Sequence, residues 1–329
     1  MGEKKKIKYI FFEGNVDSGK IIMNDLINKS NIKIIYRDNS FDSKILSKLF
    51  IIHVSQKLKR YINMPLKKIW YKRLIGNEFS KNDTIAFTFI AGWYDEEFIF
   101  WLKKNYPYSK QTLFLRDTVN LYEKAIPNFI GQRLNDLFDL VISSNPSDCS
   151  KFGFIYSPVF ISKFEKENLV KYSKSDFVFI AEAKDRLQLL HKLYEKFTKF
   201  GFKSDFYITN VKRKDQKYPN GIDYAENHLK YEDYLAREAA SNCIVELIKE
   251  DTQGGTLRSW EAVYYNKKLI TNWKGIKDFQ FYDERFMMYF EDVEDIDMSF
   301  FKENLDVEYN YKGENSPVNL LNIIETTLY

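Results

Sequence analysis

The chain has 329 residues, 44% hydrophobic and 17% aromatic, with 28 Phe and 23 Tyr, and its 50 Lys or Arg against 46 Asp or Glu give a net charge of +4. This is the composition of a globular protein, long for one core and comfortable for two domains of about 150 residues with a cleft between them. Two distant cysteines, Cys149 and Cys243, exclude a disulfide framework and suit a reducing cytoplasm, and the short apolar run near the start excludes a signal peptide or a membrane span.

In chain order, residues 6–12 read as a strand, 14–28 as a turn followed by a helix, and 32–36 as a second strand, an opening βαβ unit. The turn, Gly14-Asn15-Val16-Asp17-Ser18-Gly19-Lys20, matches the GxxxxGK pattern of a P-loop in the strand–turn–helix context that such a phosphate cradle needs. Position 21 is Ile where a hydroxyl should hold Mg²⁺, and Asp139 is the one weak downstream candidate for a metal-holding carboxylate. A P-loop kinase or ATPase therefore stands as the alternative enzyme.

Residues 43–77 hold nine Lys or Arg (Lys44, Lys48, Lys57, Lys59, Arg60, Lys67, Lys68, Lys72, Arg73) and no Asp or Glu, which leaves the remainder of the chain at −5. Ile45, Leu46, Leu49, Phe50, Ile51, Ile52, Tyr61, Ile69, Trp70 and Tyr71 interleave with these charges, the pattern of an element lying on a membrane surface. A solvated face above a core-facing stripe fits the same residues, and a polyanion would be attracted to them as well. The expected partner is the inner face of the cell membrane, not nucleic acid.

Further along, 84–90, 111–116 and 140–143 read as strands, and 95–105 and 127–138 as helices. The rhythm restarts after a polar stretch at 162–175, with strands at 177–181, 206–209, 243–247 and 268–271 and a long helix at 185–200; residues 317–328 read as a last helix. Alternating strands and helices predict parallel sheets.

The densest information lies in residues 241–273, SNCIVELIKEDTQGGTLRSWEAVYYNKKLITNW, which pack strand, Gly-rich turn, helix and strand into one unit. Glycines let a backbone approach a ligand closely, and the first N–H groups of the following helix favour an anion such as a phosphate. Arg258 and Glu261, three apart, share a helix face: the arginine could clamp a diphosphate and the carboxylate a ribose. A solvated Arg/Glu pair, an N-cap role for Thr256, pairing of Glu261 with Lys267 or Lys268, and core positions for Trp260 and Tyr264 are the competing readings.

The run Gln253-Gly254-Gly255-Thr256, Arg258, Glu261-Ala262 and Lys267-Lys268-Leu269-Ile270-Thr271 resembles the donor-binding segment of bacterial GT-B glycosyltransferases that build capsule and lipopolysaccharide. SDFVFIAEAKDR at 175–186 resembles the first strand and loop of their C-terminal half, with its Lys-x-Arg triplet, and 139–160, with Asp148 and Lys151-Phe152-Gly153-Phe154, resembles the end of their N-terminal half. The likeness covers roughly residues 83–282 and departs from the family at Gly254-Gly255, where a glycine followed by leucine is usual, and at Ala181 or Glu182, where a glycine is.

The resemblance implies an α/β protein of two Rossmann-like domains facing a cleft: an acceptor-side domain at 1–168, a nucleotide-sugar domain at 169–312, and a C-terminal helix at 313–329 packing back on the first. It implies a metal-independent Leloir glycosyltransferase that moves a sugar from a nucleoside diphosphate sugar to a surface-glycan or lipid-linked glycan acceptor, without a cofactor. The implied donor residues are Lys184, Arg186, Gln253, Gly254, Gly255, Thr256, Arg258 and Glu261, with Asp17 and Asp95 as candidate bases. A Gly-rich first loop is expected of the same architecture, where it admits an acceptor, and a non-catalytic GT-B-like accessory subunit is the third possibility. None of the three histidines, His53, His191 and His228, stands in a catalytic setting.

Overall fold

The computed structural model describes residues 6–59, 61–62, 64–90, 95–126, 129–165, 169, 171–248, 255–302 and 306–329. The chain forms two compact units, Met1–Ser162 with Asn315–Tyr329, and Lys163–Glu314. Among the described residues no helix is long and apolar enough to cross a membrane.

In the first unit β1 (Lys8–Glu13), β2 (Ile32–Tyr36), β3 (Ile85–Ile90), β4 (Lys110–Leu115), β5 (Leu140–Ser143) and β6 (Ile155–Tyr156) make a parallel sheet ordered β2-β1-β3-β4-β5-β6. The run IAFTFI of β3 is buried at every position, as a central parallel strand covered on both faces must be. Ile10, Phe12, Phe87, Phe89, Leu113 and Leu115 join Phe98, Ile99 and Leu102 of the Glu96–Asn105 helix in one core. Each such side chain stabilises the fold by roughly 1.5–3 kcal/mol on burial. The Pro317–Leu328 helix also belongs to this unit: Tyr9 donates its hydroxyl hydrogen bond to Glu325, and Tyr329 to the Ile85 carbonyl at 2.9 Å.

One predicted helix is displaced. Residues 127–128 lie outside the described ones, and 131–137 form only two short turns, Gly131–Arg133 and Leu134–Leu137. The helix of this region is Val119–Ala125, started by Thr118 Oγ1 accepting from Leu121 N and by Asp148 Oδ2 accepting from Val119 N at 2.8 Å. Gly131 lies so close that a Cβ there would sit 2.5 Å from Val119 Cγ1.

The second unit holds β7 (Ser175–Glu182), β8 (Ser204–Thr209), β9 (Ile222–Ala225), β10 (Ser241–Glu246), β11 (Lys268–Thr271) and β12 (Met287–Tyr289), parallel throughout and ordered β12-β11-β10-β7-β8-β9. Read from the β9 edge this is 3-2-1-4-5-6, the order of a dinucleotide-binding Rossmann sheet, and the direction of winding reverses between β7 and β10. Strands β6, β9 and β12, of two to four residues, and the Tyr231–Ala240 helix lie outside the sequence-based expectation.

Candidate functional site

In an open α/β sheet a ligand crevice forms outside the carboxyl ends of the strands where winding reverses. In the second unit that point lies between β7 and β10, and two arginines converge on it. Arg186, just after β7, donates to the carbonyls of Leu247 and Glu182 (2.8 Å for the latter), fastening the end of β7 to that of β10. Arg258, in the first turn of the Leu257–Tyr265 helix, donates to the Ile180 carbonyl of β7 at 2.7 Å and lies over the Tyr234 ring, 5.6 Å from its centre. Burial lowers the pKa of Arg186, and the positive charge of Arg258 lowers it further, so the two guanidinium groups feel each other. A pair of half-buried cations at the switch point is chemistry for an anion carrying two phosphates.

The helix start holds an anion of its own. Thr256 is the N-cap, its Oγ1 accepting from Arg258 N at 3.2 Å. Glu246, fully buried at the end of β10, accepts from Thr256 N (3.1 Å), Thr256 Oγ1 (2.6 Å) and Ser259 Oγ (2.8 Å) on one oxygen, and from Thr271 Oγ1 (2.7 Å) on the other. Gly255 is required by packing, since a Cβ would fall 2.8 Å from the Trp273 ring. Gln253 and Gly254 lie outside the described residues.

Glu261 departs from the expectation of a ribose-facing carboxylate. It is fully buried, its oxygens accepting from the hydroxyls of Tyr231 (2.7 Å) and Tyr234 (2.9 Å), whose rings stack 5.5 Å apart. The Leu257–Tyr265 helix is buried from Ser259 to Tyr265, so spacing that suggests a surface pair instead points the carboxylate inward. Lys267 and Lys268 donate elsewhere, to the carbonyls of Ser241 and Phe300. Beside Glu261 lies Glu238, also buried, on the Tyr231–Ala240 helix. Burial, then the Glu261 charge, pushes Glu238 well above the ordinary carboxylate range; burial raises Glu261 as well, against the pull of Arg258 and the tyrosine donors. Burial works against the charge on Arg258, but Tyr234, Glu261, Glu238 and Glu246 together raise its pKa. Two buried carboxyls and the half-buried Arg258 guanidinium thus form a unit that favours holding a proton.

Lys184 is exposed, follows β7 with a left-handed φ of 49°, and lies 3.9 Å from Glu182 Oε2. Glu182 is also approached by His228 Nε2 at 3.4 Å, whose Nδ1 is 3.5 Å from Thr209 Oγ1 at the end of β8. His228, unremarkable in its polar sequence context, is thereby brought to the carboxyl edge of the sheet, and no local signal marks it.

In the first unit the reversal lies between β1 and β3. Glu13, buried at the end of β1, takes a bidentate pair from Arg116 (3.0 and 2.6 Å) and accepts from Gly14 N at 2.8 Å. Val16 N donates to Asp38 and Asp17 N to Asn15, each at 2.8 Å. The donors that a P-loop turns toward phosphate are spent on the chain's own oxygens, and a Cβ at Gly19 would lie 2.6 Å from Glu13 Cγ, so this glycine too serves packing. Lys20 and Asp17 are exposed. Asp95, by contrast, is buried as the N-cap of the Glu96–Asn105 helix, Oδ1 accepting from Glu97 N and Oδ2 from the Tyr71 hydroxyl at 2.8 Å, a structural setting rather than that of a free base.

No protein-family model and no curated protein matches the chain. Solved structures match its fold. An α-glucosyltransferase in complex with UDP-glucose and DNA containing an abasic site aligns with a TM-score of 0.56 and 11% identity over 97% of this chain and 100% of that one. UDP-GlcNAc 2-epimerase from Methanocaldococcus jannaschii aligns with a TM-score of 0.53 and 12% identity over 98% and 100%. The N-terminal domain of Candida albicans trehalose-6-phosphate phosphatase aligns with 0.52 and 12% over 100% and 99%. At such identities the likeness establishes architecture: two Rossmann-like α/β domains of the GT-B type.

Proposed function

We propose that the chain is a Leloir glycosyltransferase whose second unit binds the nucleoside diphosphate of a sugar donor at the β7/β10 switch point. The observation that carries this reading is the pair Arg186 and Arg258, both anchored on backbone carbonyls at the carboxyl ends of those strands. In the transfer the bond from the anomeric carbon to the diphosphate oxygen breaks, its electrons leaving with the diphosphate, while an acceptor oxygen bonds to that carbon and gives its proton to a base. Fixed cations at the leaving group stabilise its growing charge without reorganisation, and they could do so without a metal. Lys184 completes the donor contacts, and Glu261 acts from beneath by aiming Arg258. Asp17, the exposed carboxylate of the first loop, is the candidate base.

The acceptor in this reading is a surface glycan or lipid-linked glycan of the capsule or lipopolysaccharide type, and the chain works as a peripheral protein on the inner face of the membrane. Titration by thermal shift tests the donor assignment. UDP, GDP or their sugars should raise Tm, by about 2.7 kcal/mol of stabilisation at a hundredfold excess over Kd, and Arg258→Ala should remove that response. Indifference to every nucleotide would overturn the transferase reading in favour of an accessory subunit.

A further inference from the structure

The Lys44–His53 helix seats Ser47 and Phe50 on the core and turns Ile45, Leu49 and Ile52 to solvent at spacings i, i+4 and i+7, one continuous apolar stripe. Its end meets the start of the next long helix, Lys67–Ile75: His53 Nε2 lies 2.6 Å from the Pro65 carbonyl, and Trp70 packs on Phe50 with ring centres 5.9 Å apart. This brings Leu66 close to the end of that helix. Leu66 has a left-handed φ of 62° and is 71% exposed, a strained backbone whose effect is to hold an apolar tip in water. Leu58, Tyr61, Ile62 and Ile69 are exposed too, so eight of the eighteen large exposed apolar side chains among the described residues fall between positions 45 and 69. A concentration of this kind marks an interaction surface.

The charges around it are sorted by depth. Lys59 and Lys67 turn inward to Glu97 at 2.9 and 3.2 Å, whereas Lys44, Lys48, Lys68 and Lys72 are exposed and form no ion pair among the described residues. The side chain of Lys57 and all of Arg60 lie outside those residues. Exposed aliphatic tips interleaved along the chain with exposed lysines suit a layer that is apolar below and anionic at its surface.

We infer that this face of the first unit docks on an anionic lipid bilayer, with Ile45, Leu49, Ile52 and Leu66 entering the headgroup–acyl boundary and Lys44, Lys48, Lys68 and Lys72 lying on the headgroup phosphates. Nucleic acid fits the charge but not the tips, because bases stack on aromatic rings and, among the described residues 45–69, Tyr61 is the one exposed aromatic. A protein partner would leave four lysines seeking acidic matches, while a bilayer supplies them everywhere. The surface deepens the membrane-side acceptor reading but is independent of donor binding, since all its residues lie in the first unit.

Flotation of the full chain with vesicles tests it. Binding to mixed phosphatidylcholine–phosphatidylglycerol vesicles should exceed binding to phosphatidylcholine alone by ~tenfold or more and weaken with salt. The triple variant Ile45→Ser, Leu49→Ser, Ile52→Ser should lose ~tenfold in affinity, with an unchanged melting curve and an unchanged nucleotide response. Absence of binding to mixed vesicles at low salt, or a triple variant that binds like the parent, overturns the inference. Tighter binding to double-stranded DNA than to vesicles at the same salt overturns it as well. None of these outcomes touches the transferase reading, which stands or falls on the nucleotide titration.

Discussion

Glu246 and Thr256, ten residues apart, are joined twice: one carboxylate oxygen accepts both the Thr256 N–H at 3.1 Å and the Thr256 hydroxyl at 2.6 Å. The helix start that would attract a phosphate therefore carries a resident negative charge. At the end of β1 Glu13 likewise accepts from the N–H of Gly14. A diphosphate approaching the second unit meets this carboxylate as well as Arg186 and Arg258, so the cations must outweigh it.

Removing the Glu246 carboxylate leaves three hydroxyls and one N–H without their acceptor. Glu246→Ala should cost about 3 kcal/mol or more of unfolding free energy, and Glu246→Gln less, because one acceptor oxygen survives. Urea denaturation of the purified chain measures both.

Arg116→Ala should be among the more damaging changes in the first unit. It removes the cationic partner of the buried Glu13 carboxylate, at a cost of about 3 kcal/mol. Arg116→Lys keeps the charge but cannot reproduce the two-pronged contact, so its melting point should fall between those of Arg116→Ala and the parent.

Gly255→Ala drives a methyl group to within 2.8 Å of the Trp273 ring. The turn must shift, at about 1–3 kcal/mol. Because the displaced segment leads into Arg258, nucleotide-induced stabilisation should shrink along with stability, an outcome that calorimetric titration separates from simple unfolding.

Glu238 makes stability pH-dependent with a definite sign. Its pKa is raised on folding, so the folded state holds the proton more tightly, and the resulting stabilisation is complete below about 4.5, the unfolded value, and is lost as pH rises through the raised one. Glu261 is shifted the same way. Melting temperatures measured from pH 5 to pH 9 should therefore decline on this account, and Glu238→Gln should flatten the decline. An identical slope in the variant would refute the account.

Lys20→Ala should leave both stability and any ATP response unchanged, because the side chain is exposed and the loop donors beside it are engaged by Glu13, Asp38 and Asn15. Loss of an ATP-dependent shift in that variant would restore the P-loop reading.

Much of the architecture was legible in the sequence, because buried parallel strands announce themselves: IAFTFI, LVIS and KLIT fall where apolar continuity puts them. Arg258 could be singled out because it follows a Gly-rich turn and opens a helix, and Arg186 because its Lys-x-Arg triplet resembles that of the GT-B transferases. What escaped was fixed by contacts distant in sequence. The inward turn of Glu261 depends on Tyr231 and Tyr234, thirty and twenty-seven residues away, on a helix with a mixed polar and aromatic pattern. Glu246 lies within a predicted strand, and only its hydrogen bonds to Thr256 and Ser259 show that it anchors the start of the next helix. The GxxxxGK match has a related origin, since its second glycine, Gly19, makes room for Glu13 and Tyr36.

Because Asn315–Tyr329 completes the first unit, that unit is interrupted in sequence by the whole of the second. During synthesis the ribosome delivers Lys163–Glu314 as an uninterrupted stretch, free to fold on its own, while the earlier sheet still lacks the partners that Glu325 and Tyr329 bring to Tyr9 and Ile85. The half made first is finished last, and truncations at the far end of the chain should be felt in the half that begins it.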